Sequence, residues 1–153
     1  MKKIFLEYLK EMIYMLETYE NGWWVDWMEK AYTKYRDEDS IEKFLDAFGG
    51  MGSFNDTDFE NECTKYIITI TDNMGYDIGK NGYADVFEEI KKVLKIEESW
   101  IRRCIEVNEA QSSYQKDINE VAFYKYLLEN YVPGNLHEIT LKYLEPNESM
   151  KLN

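Results

Sequence analysis

The stretch Glu62-Cys63-Thr64-Lys65-Tyr66-Ile67-Ile68-Thr69-Ile70-Thr71-Asp72-Asn73-Met74 decides the fold, because two periodicities compete in it. Ile67 to Thr71 is rich in β-branched residues, which suits a strand. Phe59, Cys63, Tyr66, Ile67, Ile70 and Met74 instead recur at helical spacing. No second strand with hairpin punctuation lies nearby, and an isolated strand leaves its backbone unsatisfied. Helix is the reading preferred for Asp58 to Gly82, with strand left open for residues 66–71.

The flanking sequence is helical on either side. From Phe5, the positions Leu9, Met12, Ile13, Leu16 and Tyr19 form an apolar stripe opposite Glu7, Lys10, Glu11 and Glu17. Asn21-Gly22 breaks it, and a second stripe follows through Trp24, Trp27, Met28, Ala31, Tyr32 and Tyr35, predicting a helical hairpin. Asp37-Glu38-Asp39-Ser40 supplies capping residues for a short third helix over Ile41, Phe44, Leu45 and Phe48, closed by Gly49. Gly49 to Asp58 reads as a loop whose Ser53, Asn55 or Asp56 caps the next helix.

Tyr83 to Asn108 contains neither Gly nor Pro, which allows one long helix or two joined near Ser99. Gln111-Ser112-Ser113 marks another start, and Pro133-Gly134 its stop. Leu136 to Leu144 makes a last short element, with a polar tail from about residue 146. The expectation is an all-α bundle of about six or seven helices forming one domain over residues 1–153, since no linker, repeat or composition shift divides the chain.

A chain of 153 residues buries roughly two thirds of its unfolded surface, so it needs neither disulfides nor metal to fold. Aromatic residues make up 16% of the composition, which supplies core that an acidic disordered chain lacks. The net charge of −12 disfavours nucleic acid and anionic membrane surfaces, and favours association with a basic protein. Charged residues interrupt the apolar start, and no stretch approaches a membrane span, so a cytoplasmic location is expected, with Cys63 and Cys104 reduced.

Chemistry-bearing motifs are sparse. His137 is the single histidine and lacks the second His of a zincin helix. Asp56, Asp58, Glu60 and Glu62 alternate as in a calcium loop, but Asn61 and Ile67 stand where an EF-hand needs glycine and a bidentate acid. Gly49-Gly50-Met51-Gly52-Ser53 lacks the Lys of a phosphate loop. Glu88/Glu89 and Glu97/Glu98 read as solvated faces, and of Trp23 and Trp24 one is exposed or both are partly buried. No catalytic residue, cofactor or metal is expected.

Phe48-Gly49-Gly50-Met51-Gly52-Ser53-Phe54-Asn55-Asp56 resembles a small bacterial family of unknown function marked by a Gly-Gly-Met-Gly-Ser-x-Asn-Asp loop between helices. In general character the short, acidic, helical chain is also similar to the immunity proteins of contact-dependent growth inhibition. That likeness implies a partner, a cognate basic toxin domain such as a nuclease, neutralised by covering its active site. The expected contact residues are Asn55, Asp56, Asp58, Glu60 and Glu62, then Asp37, Glu38 and Asp39. The alternatives are a scaffold or regulatory subunit that self-associates through its aromatic stripe, and a carboxylate-based enzyme.

Overall fold

A computed structural model describes residues 2–48, 54 and 59–151, with side chains to Glu145. Within them seven α-helices follow one another: α1 (Lys2–Tyr19), α2 (Val25–Glu38), α3 (Glu42–Leu45), α4 (Glu62–Asn81), α5 (Val86–Glu106), α6 (Gln115–Asn130) and α7 (Leu136–Lys151). The protein is all-α, and no strand occurs among the described residues.

The contested stretch is the first three and a half turns of α4. Tertiary packing overrides β-propensity here, because α4 lies between α1, α3, α5 and α6 and buries a face broad enough to take Cys63, Tyr66, Ile67, Ile70 and Met74 together. Its buried threonines are satisfied locally or by a neighbour: Thr71 donates to the Ile67 carbonyl at 2.6 Å, and Thr64 to Glu20 Oε2 at 3.2 Å. Gly75 and Gly79 let α3 come close. A Cβ at Gly75 would stand 2.5 Å from Phe44 Cε2, and one at Gly79 2.9 Å from Leu45 Cδ1.

Buried side chains of all seven helices form one connected core, with Phe5 edge-on to both Tyr35 and Phe44 at 5.2 Å. The α1–α2 hairpin forms as expected. Trp24 packs on Trp27 and Phe54, and Trp27 Nε1 donates to the Lys43 carbonyl at 2.9 Å, so most of the aromatic stripe is consumed inside the fold. Trp23 is left 81% exposed.

Several boundaries differ from expectation. Asp37 and Glu38 belong to the last turn of α2, where acids oppose the helix dipole, and do not cap α3. Lys2 compensates: its Nζ donates to the Arg36 carbonyl at 2.9 Å and pairs with Asp39, which closes α2 in a left-handed conformation (φ 56°). Asn61 caps α4, its side chain accepting from Cys63 N at 2.8 Å; the expected caps Asn55 and Asp56 lie outside the described residues, as do Gly49 and Ser53. Residues 86–106 are a single helix capped by Asp85. Gln111–Ser113 is a 3-10 turn ahead of α6. The polar stretch from Pro146 continues α7: the proline removes one ladder hydrogen bond without ending the helix.

α1 and the residue that follows it tie distant ends together through charged side chains. Glu20 accepts from the backbone N–H groups of Glu60 and, at 3.2 Å, Asn61, holding the start of α4. Glu7 does the same for α7, accepting from Gly134 N at 2.9 Å and Leu136 N at 3.1 Å, while Tyr131 donates to its other oxygen at 2.5 Å.

Candidate functional site

Two large clefts open among the described residues of the bundle. One, of about 690 Å³, lies between α1, α2 and the start of α7, with Glu7, Glu11, His137, Tyr14 and Tyr32 in its walls. Its ionisable groups already have structural work. Glu7 caps α7, and His137 Nδ1 stands 2.9 Å from Glu11 Oε2 with its ring edge-on to Tyr14. The lone histidine is therefore a satisfied one. Burial pushes the Glu11 carboxyl upward, and its second oxygen has no hydrogen-bond partner.

The larger cleft, about 820 Å³, runs between α4, α6 and the segment joining α3 to α4. Phe48, Phe54 and Phe59 form its apolar end; Glu62, Asp72, Asp117 and Glu120 bring carboxylates to it, with Lys65 and Lys116 as the cations. Glu97 reaches the same junction from α5. Carboxylate oxygens of Glu97, Asp117 and Glu120 lie within 4.8 Å of one another, close enough to share a single cationic group.

The sequence builds this cluster by helical spacing. Asp117 and Glu120 are one turn apart on α6, and Glu97 falls one turn after the buried Val93 on α5, so its side chain points inward while Glu98 turns away. Glu120 accepts from Tyr124 Oη at 2.5 Å, and Glu62 from Tyr66 Oη at 3.0 Å. Both tyrosine hydroxyls are held above their ordinary range by burial and by these glutamates.

The electrostatics reflect crowding. Burial, with Glu120 and Asp117 beside it, pushes Glu97 up to about 7 against the partial relief of Lys65. Burial alone pushes Asp72 up to about 6. Burial also raises Glu120, opposed by the Tyr124 hydrogen bond. Like charges at this spacing disfavour joint ionisation. Reading Glu89 as a solvated face is overturned, since it is buried beside Asp77 and raised to about 7, whereas Glu97 is half-buried. Of their neighbours, Glu88 is exposed and Glu98 is half-buried like Glu97.

Of the expected contact residues, Glu62 lines the acidic cleft. Glu60 is exposed beside it, its backbone held by Glu20. Asn55, Asp56 and Asp58 lie outside the described residues, but Phe54 within the same loop is fully buried at the cleft's apolar end. Asp37, Glu38 and Asp39 are not brought to this site. They sit by Lys2 at the first residue of α1, whereas Glu60 sits by Glu20 just beyond its last, and a helix of 18 residues is about 27 Å long. Asp72, Asp117 and Glu120 were not singled out from sequence, and Glu97 was considered only as part of a solvated pair with Glu98. The signal that carried them is the repeat Glu62-x-x-x-Tyr66 and Glu120-x-x-x-Tyr124, a one-turn pairing of acid and hydroxyl on two helices.

Residues 17–57 match a family described as a domain of unknown function, DUF6966, a stretch running from the last turn of α1 through α2 and α3 to residue 57, ahead of α4. No curated protein and no solved structure matches the chain. No helix among the described residues is long and apolar enough to cross a membrane.

Proposed function

We propose that this chain is an immunity-type binding protein that neutralises a basic toxin domain, taking a cationic side chain of that partner into the cleft between α4 and α6. The observation that carries this reading is the convergence of Glu97, Asp117 and Glu120 from two helices within 4.8 Å. Such a cluster costs electrostatic free energy in the free protein. An arginine or lysine delivered by a partner offsets that cost, and a net charge of −12 steers a basic protein toward it. Phe48 and Phe59 at the other end, half-buried over the fully buried Phe54, give the same partner an apolar anchor.

The test is co-purification with the toxin domain encoded beside this chain, together with growth rescue. Wild type is expected to form the complex and protect. The triple variant Glu97→Gln, Asp117→Asn, Glu120→Gln is expected to stay helical and lose protection. Full protection by that variant would remove the cleft from the interface. If Mn²⁺ alone binds wild type in calorimetry, the triple variant abolishes that binding, and no toxin complex forms, the carboxylates serve a metal-dependent enzyme instead.

A further inference from the structure

α5 differs from the rest of the chain in charge and in what it leaves uncovered. The whole chain carries −12, yet the five glutamates of α5 are matched by five lysines and arginines, for a net of zero. Two copies of so acidic a chain repel each other almost everywhere, and a locally neutral helix is where they meet at least cost.

The same helix shows an apolar stripe that none of the described residues covers. Ile96 is 65% exposed, Trp100 50%, and Val107, the residue closing the helix, 60%. With Arg103 they fall at i, i+4, i+7 and i+11, a single line along one side. Exposed side chains this large, aligned on one helix, mark an interaction surface.

We propose that the occupant of this face is the α5 helix of a second copy, packed antiparallel about a two-fold axis near Ile101. That axis sets Ile96 against Val107 of the second copy, lays Arg103 over the second copy's Trp100 ring, and brings Lys95 to Glu106 of the second copy. Lys95, Arg103 and Glu106 make no ion pair within the chain among the described residues, so each is available to a partner. A symmetric axis makes every such contact twice. With that axis the two helices overlap from Ile96 to Val107, about 18 Å at about 1.5 Å per residue, which places the interface among the small, transient ones, below about 1,200 Å². The dimer is therefore weak, with a dissociation constant on the order of micromolar. The inference is independent of the acidic cleft and of the toxin reading.

Sedimentation equilibrium on the full chain, from low micromolar to near-millimolar concentration, tests it. The expected result is a mass that climbs from 18.4 kDa toward twice that value. Trp100→Glu holds the chain at the monomer mass with unchanged helicity, and Ile96→Glu does the same should the first variant fold poorly. Lys95→Glu and Glu106→Lys each weaken association by about tenfold, and the two together in one chain restore it. A monomer throughout the range overturns the proposal, as does a dimer that survives both Trp100→Glu and Ile96→Glu.

Discussion

The rings of Tyr66 and Tyr124 stand 6.0 Å apart between α4 and α6, and each donates its hydroxyl to a glutamate one turn earlier in its own helix. The arrangement fixes Glu62 and Glu120 on two helices that also bury the tyrosines, so the acidic cleft is held by core packing. Tyr124→Phe keeps the ring and removes one charge-assisted bond. It should cost about 1–3 kcal/mol at neutral pH and push Glu120 further up, measured by urea unfolding. Less than a few tenths of a kcal/mol would mean that the bond is not formed.

Stability should fall as pH rises from about 5 to 8. Glu89 and Glu97 are both raised to about 7, so the folded state holds protons that the unfolded chain has released. The stability linked to those protons is fully present below the ordinary glutamate value and is lost as pH climbs through about 7. Thermal melts should show a lower midpoint at pH 8 than at pH 6, and the variant Glu89→Gln, Glu97→Gln should flatten that slope. A slope unchanged in the variant would separate it from these two groups.

Complex formation with a basic partner should release protons near pH 7, because a cation in the cleft favours ionised Glu97 and Glu120. Calorimetric heats of binding should then differ between buffers of low and high ionisation enthalpy, and that difference should vanish in Glu97→Gln. Equal heats in both buffers for wild type would place the partner elsewhere.

Glu20→Ala should destabilise the chain by about 1–3 kcal/mol, since it strips the acceptor from two backbone donors at the start of α4 and from Thr64. Glu7→Ala should cost a similar amount at α7. Hydrogen exchange should rise at Asn61 in the first variant and at Leu136 in the second, and a reversed pattern would refute the assignment.

Gly75→Ala should be destabilising although alanine is the better helix former, because the added methyl meets Phe44 at 2.5 Å while that ring is itself fixed against Phe5. Overpacking of about 1–3 kcal/mol exceeds the roughly 1 kcal/mol gained in propensity. Gly75→Ala combined with Phe44→Leu should recover part of the loss, and an unaltered midpoint in Gly75→Ala alone would show that α3 yields.

Much of the fold was legible in the sequence, because α1, α2 and α5 carry one-sided apolar stripes that only a helix buries. The α4 stretch was ambiguous for a physical reason: its helical stripe is built largely from β-branched isoleucines and threonines, whose local preference is for strand, and only packing against four other helices decides between them. The site was less legible. Glu62 was found because it stands in an obvious acidic run, while Glu97, Asp117 and Glu120 lie 20 or more residues apart from that run in helices read as amphipathic. Their meeting depends on how α4, α5 and α6 are rotated against one another, and no single-helix pattern encodes that. Asp37, Glu38 and Asp39 misled because an acidic run before an apolar stretch signals an N-cap, whereas here Lys2, distant in sequence, makes it the end of α2.

The anchoring side chains of α1 bear on how the chain is made. α1 leaves the ribosome before any element it holds, and its ties, with that of Glu20 just beyond it, close at increasing separations: Lys2 to Asp39 across 37 residues, Glu20 to Thr64 across 44, Glu11 to His137 across 126 and Glu7 to Leu136 across 129. Synthesis therefore satisfies α1 in stages, the hairpin first, α4 next and α7 last. Until α7 arrives, Glu7 remains a solvated charge on the growing chain, which helps keep an unfinished helix soluble beside its exposed apolar face. An all-helical protein usually folds through local contacts, but here the final stage waits on the longest loop in the molecule.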